Sequence, residues 1–300
     1  MPHQIGDIAD RRSRVSPEGH TVHRLANAFT AAFVGHIVHA SSPQGRFADG
    51  AATLDGLRLD HAEAWGKQMF LRFAGPVWLR VHLGLYGNWR FAGSGLEGIG
   101  RRGRAAADED GPPAPRGAVR LRLSTATHTA DLSGPTACEL LSDAGKAAAT
   151  SELGPDPLRP DAKPARAWEM IHASRTAIGQ LLMRQDCIAG IGNIYRAELL
   201  FRARIEPHKP GRELTRPQWD ALWRDTRALL RDGVRDGAII TTRPKDRPPG
   251  TPVVGKRMRK DARSYVAHRE GEPCRICGNP VRAEAMAGRQ LYWCPVCQTA

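Results

Sequence analysis

The 300-residue sequence has no long apolar run, and no stretch approaches the roughly 20 apolar residues of a membrane-spanning helix. Residues 1–16 also lack the apolar segment of a signal peptide. Cysteines are few: the chain has six, and Cys138 and Cys187 stand apart from the other four. We therefore expect no membrane span and no disulfide framework, and instead a soluble, cytoplasmic protein without a membrane partner.

Acidic residues are the minority among the charged residues, with 31 Asp and Glu against 44 Lys and Arg, which gives a formal net charge of +13. Such an excess favours a polyanionic partner, because bound cations release the counterions of phosphates. An arginine-rich proteome would produce the same excess without such a partner. Charge alone therefore favours nucleic acid but does not establish it.

The four clustered cysteines form two C-x2-C pairs separated by sixteen residues: Cys274, Cys277, Cys294 and Cys297. Two such knuckles supply four thiolates in tetrahedral geometry. Because protein ligands fill every position, we predict one structural Zn²⁺ and no catalytic metal. The bound site would lower the net charge to roughly +11. The intervening residues predict a β-hairpin that turns at Gly288-Arg289.

The first half of the chain predicts one helix followed by strands. Apolar residues recur at helical spacing from Val22 to Phe33. Apolar and charged residues alternate in three later segments, 69–73, 77–83 and 119–123. Period-two runs with one apolar face indicate antiparallel sheets packed on a shared core. A low-complexity loop at 101–117 interrupts this region.

Helical periodicity returns after the Pro-rich stretch 155–166 and continues from Trp168 to about Gly233, with Thr215 as a predicted N-cap. Residues 243–263 are basic and Pro-rich and predict a mobile loop. We therefore predict an α+β chain with the following order: disordered extension 1–16, β-rich domain 17–150, linker 151–167, helical domain 168–262 and zinc segment 263–300.

Four short motifs each have a plain structural explanation and a functional one. Pro17–Thr21 precedes the first helix, and Gly66-Lys67 heads a strand. The plain explanation of the first motif is a helix-entry turn, and that of the second is a solvated lysine at the edge of a sheet. The segment 82–87 offers apolar residues for the core or as a wedge between bases. The segment 190–193 is a turn between helices or a phosphate nest made of helix-start amides and the Asn193 side chain.

The order of these motifs resembles the formamidopyrimidine-DNA glycosylase and endonuclease VIII family: Pro-Glu-Gly-His-Thr, Gly-Lys, His-Leu-Gly-Leu-Tyr-Gly, Gly-Ile-Gly-Asn-Ile-Tyr and a four-cysteine finger. The resemblance runs from about Pro17 to the C-terminus and is nearest to an actinobacterial endonuclease VIII branch. It implies an N-terminal antiparallel β-sandwich with flanking helices, a helix–two-turn–helix domain and a zinc-finger β-hairpin. DNA would lie between the two domains with the damaged nucleotide flipped out.

The same resemblance implies a bifunctional DNA glycosylase and AP lyase of base excision repair. The expected partner is double-stranded DNA with oxidised bases, pyrimidines foremost, or abasic sites, and we expect a monomer. Pro17 matches the nucleophile that forms a Schiff base before β,δ-elimination, and Glu18 matches the acid/base residue.

The remaining site residues also follow from the resemblance. Lys67, Asn193 and Arg289 match a trio that grips phosphates around the flipped nucleotide, with Lys67 in the catalytic set. His82, Leu85 and Tyr86 match DNA-contacting positions, the last two filling the gap in the helix. The preceding residue is Gly84, where endonuclease VIII has a glutamine, so contacts to the orphaned base depart from the family pattern.

The largest departure is that Pro17 is not N-terminal, because sixteen residues precede it. Its nitrogen is then a tertiary amide whose lone pair is delocalised, and such an amide cannot attack a sugar. Three hypotheses follow. A downstream start or trimming frees Pro17; or Lys67 or another amine is a weaker nucleophile; or the protein binds lesions without cutting. Pro2 would become terminal once Met1 is removed, but His3 follows it instead of a glutamate.

Overall fold

A computed structural model describes residues 17–100, 113–251 and 258–299. The predicted extension 1–16, most of the 101–117 loop and the centre of the basic loop lie outside the described residues. None of the described helices is long and apolar enough to cross a membrane. The described residues form two compact units, the first with Pro17 and the residues within 25–63 and 68–146, the second with those within 18–24, 64–67 and from 147 onward.

The helices are α1 (Gly19–Ala32), α2 (Ala48–Leu54), α3 (Asp143–Ser151), α4 (Pro164–His172), α5 (Ile178–Leu181), α6 (Asn193–Ala203) and α7 (Arg216–Asp236). The strands are β1 (Ile37–Ser41), β2 (Leu57–Trp65), β3 (Gln68–Phe73), β4 (Val77–His82), β5 (Asn88–Ala92), β6 (Val119–Ser124), β7 (Thr129–Ser133), β8 (Ala137–Leu141), β9 (Arg282–Met286) and β10 (Arg289–Trp293).

The first unit is built on eight strands in the order β5-β7-β6-β1-β2-β3-β4-β8, and the paired strands run antiparallel. Helix α1 covers them with the predicted apolar face, since Leu25, Phe29 and Phe33 are all at most 2% exposed. The Phe29 ring lies 4.9 Å from the Trp89 ring, edge to face. Each such buried side chain contributes about 1.5–3 kcal/mol, so the helix is held by its packing.

Helix α7 confirms the predicted start in the second unit. The Thr215 side chain accepts from the Gln218 amide, and the Gln218 side chain accepts from the Thr215 amide, which is a capping box. Trp219, Leu222 and Leu230 are buried on one face, as the helical spacing predicted. The helix ends at Gly237 in a left-handed conformation, as is common at helix C-termini.

The Pro-rich segment predicted as a linker is buried over residues 154–157. The Gly154 amide donates to the Gln185 carbonyl at 2.8 Å, and the Gly154 carbonyl accepts from the Trp65 indole at 3.0 Å. This part of the segment is therefore a packed element of the second unit. The domain limits given above stay predictions.

The hairpin between the cysteine pairs is present, with β9 and β10 paired from Arg289 opposite Met286 to Trp293 opposite Arg282. Its turn lies at Ala287-Gly288, one residue earlier than predicted, because both residues have positive φ, 55° and 68°. Two such residues make the type I′ turn that suits a two-residue hairpin. Arg289 is thus the first residue of β10 and not part of the turn.

Candidate active site

The four clustered cysteines converge as predicted. Their sulfur atoms all lie within 4.8 Å of one another, with Cys274 to Cys297 at 3.9 Å and Cys277 to Cys294 at 3.5 Å. Zn–S bonds of about 2.3 Å in a tetrahedron place sulfurs roughly 3.8 Å apart, so the residues fit a zinc ion. Four protein thiolates leave no position for substrate, and the site is structural.

Glu18 lies at the N-terminus of α6, although the two are far apart in sequence. Its carboxylate is 2% exposed and accepts from the backbone amides of Gly192 at 2.7 Å and Ile194 at 2.8 Å. The positive end of a helix dipole stabilises such an anion. Of the two alternatives for segment 190–193, these backbone amides do not form a phosphate nest, because the Glu18 carboxylate already accepts from them.

Glu18 and Lys67 shift each other's protonation. Burial raises the pKa of Glu18, and the charge of Lys67 and the α6 amides oppose that rise. Burial lowers the pKa of Lys67; Glu18 opposes this shift, while the charges of Arg289 and Arg196 reinforce it. The result is a carboxyl that is more readily protonated than usual beside an amine that is more readily neutral.

Three glycines allow the motifs to meet, and we name them the glycine contact: Gly19, Gly66 and Gly190. A Cβ on Gly19 would lie 2.8 Å from the Gly190 Cα, and a Cβ on Gly66 would lie 3.0 Å from the Gly190 nitrogen. The Gly19 amide donates to the Gly190 carbonyl at 2.8 Å. Backbones this close leave no room for a side chain at Gly19 or Gly66, and the contact brings Glu18 and Lys67 to the start of α6.

Asp156 holds this arrangement together through its hydrogen bonds. Its carboxylate is buried, accepts from the Gly66 amide at 2.6 Å and lies 2.7 Å from the His23 Nε2. It also accepts from the Leu158 amide at 2.8 Å. One carboxylate thereby ties the turn that carries Lys67 to helix α1.

Asn193 joins the start of α6 to the zinc hairpin. Its Nδ2 donates to the Gln290 carbonyl at 2.8 Å, and its Oδ1 accepts from Arg196. Arg289 precedes Gln290 in β10 and is exposed. The structure thus gathers Glu18, Lys67, Asn193 and Arg289 in the second unit, as the resemblance implied.

The 82–87 loop belongs to the first unit. Leu85 and Tyr86 are 37% and 66% exposed, which excludes the core alternative for both. Gly84 has φ +62°, and a Cβ there would lie 1.8 Å from the Thr136 hydroxyl oxygen. Thr136 in turn donates its amide to the His82 carbonyl at 2.8 Å. A side chain at this position would therefore strain the backbone and require the Thr136 side chain to turn away.

Pro17 is half-buried immediately before Glu18 and is grouped with the first unit. Its roles and those of His82, Leu85 and Tyr86 stay predictions.

The buried polar residues that the sequence did not single out include Asp156, Arg196 and Glu198. Glu198 accepts from the amides of Tyr265, Val266 and Ala267, each at 2.8 Å. Arg196 and Glu198 lie in α6 three and five residues after Asn193, so a charged residue inside an otherwise apolar helix was the available signal. Such residues are rarely buried unless they are paired.

Three family models match the chain. They are the formamidopyrimidine-DNA glycosylase N-terminal domain at residues 16–134, the formamidopyrimidine-DNA glycosylase H2TH domain at 153–244, and the zinc finger found in FPG and IleRS at 271–300. Together they span the β-rich unit, the helices and the cysteine site.

Curated relatives cover most of the chain. Endonuclease 8 1 of Mycobacterium tuberculosis is 47% identical over 284 residues, which cover 94% of this chain and 100% of that protein. Formamidopyrimidine-DNA glycosylase of Thermus thermophilus is 30% identical over 251 residues, which cover 82% of this chain and 85% of that protein.

Solved structures share the fold. Wild-type Lactococcus lactis Fpg, in complex with DNA containing N7-benzyl-Fapy-dG, matches with a TM-score of 0.73 at 22% identity over 95% of this chain and 100% of its own. Lactococcus lactis Fpg with abasic-site DNA matches with a TM-score of 0.72 at 21% identity, over 94% of this chain and 100% of its own. The predicted α+β architecture, with its β-sandwich, helical domain and finger, is confirmed.

Proposed function

Since the chain belongs to the formamidopyrimidine-DNA glycosylase and endonuclease VIII family of base excision repair DNA glycosylases, we propose that it excises oxidised bases, pyrimidines foremost, and then cleaves the DNA strand at the abasic site. The partner is double-stranded DNA that contains such a lesion. The net charge of +13 supports this partner, because it matches a polyphosphate backbone.

The observation that carries the proposal is the buried Glu18 carboxyl beside Lys67, directly after Pro17 in the chain. A free Pro17 amine attacks C1′ of the sugar, and the C1′–N bond to the base breaks. Glu18, whose pKa is raised by burial, gives a proton to the ring oxygen as the ring opens. The cationic imine then acidifies the C2′ proton, and its removal expels the 3′ phosphate. A second elimination expels the 5′ phosphate.

This chemistry requires Pro17 to be the first residue. One comparison supports that hypothesis: the N-terminal family model begins to match at residue 16. The second hypothesis, a Lys67 nucleophile, is supported by the lowered pKa of Lys67, which enlarges its neutral fraction. The third hypothesis is lesion binding without cleavage.

Borohydride trapping separates the three hypotheses. The full chain and a chain that begins at Pro17 are each mixed with duplexes carrying one oxidised pyrimidine, one oxidised purine or an abasic site. We expect the Pro17-first protein to be trapped, fastest on the pyrimidine duplex, and peptide mapping to locate the adduct on Pro17. Intact mass of the cell-derived protein reports which form exists.

Matched variants give the opposing outcomes. An adduct on Lys67 of the full chain, lost in Lys67→Ala, would support the second hypothesis. Salt-sensitive binding to abasic DNA without any adduct in either form would support the third. No binding preference for lesion DNA would overturn the proposed function altogether.

A further inference from the structure

Arg196 is a fully buried cation at the centre of the candidate site. The residue is 0% exposed, and its guanidinium donates from Nη1 to the carbonyls of Met286 at 3.1 Å and Gly179 at 3.3 Å. From Nη2 it donates to the Asn193 Oδ1. One side chain in the first turns of α6 thus contacts the zinc hairpin, helix α5 and a predicted phosphate-gripping residue.

This arrangement is costly for a cation. No carboxylate of the described residues pairs with the guanidinium, and its Nε has no hydrogen-bond partner. Burial lowers the pKa of Arg196 to about 10, against the favourable charge of Glu18. Replacing buried charged groups by apolar side chains of similar volume is often neutral or stabilising. Stability therefore does not explain an arginine at this position.

The three groups that accept hydrogen bonds from Arg196 indicate a role in positioning other residues. An asparagine amide can adopt two orientations, and a donor on Oδ1 selects the one that turns Nδ2 toward the hairpin. Nδ2 carries two hydrogens, of which the Gln290 carbonyl accepts one, so the second can meet an anion. Met286 is the last residue of β9, and the two-residue turn after it leads to Arg289.

We propose that Arg196 is a positioning residue for phosphate binding, which orients the Asn193 amide and anchors the β9 end of the hairpin so that Asn193 and Arg289 address the same phosphate. The inference rests on the proposed function, since that function assigns the phosphate to this pair. Arg196 itself does not touch DNA.

The test compares Arg196→Met and Arg196→Lys with a control on the same helix, Arg202→Met. Arg202 also lies in α6 but pairs with a carboxylate, Asp225, through Nε and Nη2, both at 2.6 Å. Each protein is measured for thermal stability and for affinity to a duplex with a non-cleavable tetrahydrofuran abasic site, as a function of salt.

Arg196→Met leaves three acceptors without their buried donor, so we expect a moderately lower Tm. At temperatures well below that Tm, the variant should lose about tenfold in affinity. The plot of log affinity against log salt concentration should become shallower by roughly 0.9 in slope, because Arg289 is no longer positioned to neutralise its phosphate. Arg196→Lys should fall between, since an ammonium cannot reach all three acceptors. Arg202→Met should also lower the Tm but should keep the affinity of the wild type.

A double-mutant cycle completes the test. If Arg196 acts through Asn193 and Arg289, Arg196→Met should lose far less affinity in an Asn193→Ala/Arg289→Ala background than alone. The inference is overturned if Arg196→Met binds like the wild type, if its losses in the two backgrounds add, or if Arg196→Lys loses affinity only in step with Tm. Absence of lesion-DNA binding by the wild type would instead overturn the proposed function, so the two failures are distinguishable.

Discussion

Two buried carboxylates meet helix α6, and they differ in what surrounds them. Glu18 accepts from the amides of Gly192 and Ile194 at the start of the helix, and it lies beside Lys67. Glu198, on the helix itself, accepts from three consecutive amides at 265–267 and from the Thr241 hydroxyl. The hydrogen-bonding chemistry is alike. Only Glu18 has a neighbouring amine and a preceding proline. The neighbouring groups, and not the burial, therefore distinguish the Glu18 region, which we call the reactive end of the site.

Removal of zinc should have the largest effect on the folded structure. It should unfold the region around Glu198 and the zinc hairpin while helix α7 stays folded. Structural zinc contributes about 10 kcal/mol or more of binding free energy at neutral pH, and the hairpin folds on that energy. After chelation we expect amide exchange in β9 and β10 to rise to unfolded rates, followed by the 265–267 segment that Glu198 holds. Amides of α7 should stay protected, and added zinc should restore the rest. Lesion affinity that survives chelation would contradict the role of the hairpin.

The next largest effect concerns the carboxyl at the reactive end. Glu18→Gln removes the transferable proton and should lower single-turnover base excision by about 10²–10⁴-fold, the usual contribution of a general acid. The new amide also points a donor at backbone donors, which costs about 1–3 kcal/mol. The measurement is excision by the Pro17-first protein under conditions where the variant is fully folded. Excision at the wild-type rate would remove Glu18 from the mechanism.

Glu198→Gln is the matched variant at the other end. It makes the same donor-to-donor conflict against the amides of 265–267, so we expect a similar loss of about 1–3 kcal/mol in the free energy of unfolding. Excision per folded molecule should be unchanged. If Glu198→Gln slowed excision as much as Glu18→Gln, the contrast between the two carboxylates would be false.

Much of the frame follows from sequence pattern, because that pattern is local. The cysteine spacing, the apolar face of α1, the strands β3, β4 and β6, and the Thr215 cap all depend on residues within a few positions of each other. The pattern did not single out β7, because Asp131 interrupts its apolar residues and is buried only by pairing with Arg122 at 2.7 Å.

The site could be anticipated only in part. The resemblance brought Glu18, Lys67, Asn193 and Arg289 together, but local pattern left the segment after Gly190 open between a plain turn and a phosphate nest. The true partner of its amides, Glu18, lies 174 residues from Gly192 in the chain. Arg196 was missed for a related reason, since nothing nearby in sequence reveals that the zinc hairpin will cover it.

The smallest expected effect, taken over a single pH unit, is the pH dependence of stability that His20 causes beside Tyr195. His20 is buried with its ring edge-to-face on Tyr195, and burial lowers its pKa to about 3. In the unfolded chain His20 binds a proton below about pH 6.5, whereas in the folded chain it stays neutral down to about pH 3. The contribution of neutral His20 to the free energy of unfolding is therefore fully present above about pH 6.5. It falls by up to about 1.4 kcal/mol per pH unit as the pH drops toward 3.

Urea unfolding at several pH values measures this slope. His20→Phe should remove it, whereas His172→Gln, at an exposed histidine, should leave it in place. A slope that is the same in His20→Phe and the wild type would show that another group takes up the proton.

The glycine contact has a consequence for mutational scanning of this protein. Gly19, Gly66 and Gly190 carry no chemistry, yet each belongs to a different motif, and a methyl group on Gly19 or Gly66 would push two of those motifs apart. In a saturation library selected for repair, we expect Gly19 and Gly66 to be as intolerant as Glu18 itself. A tolerance map would then outline the site most sharply at residues that no substrate ever touches.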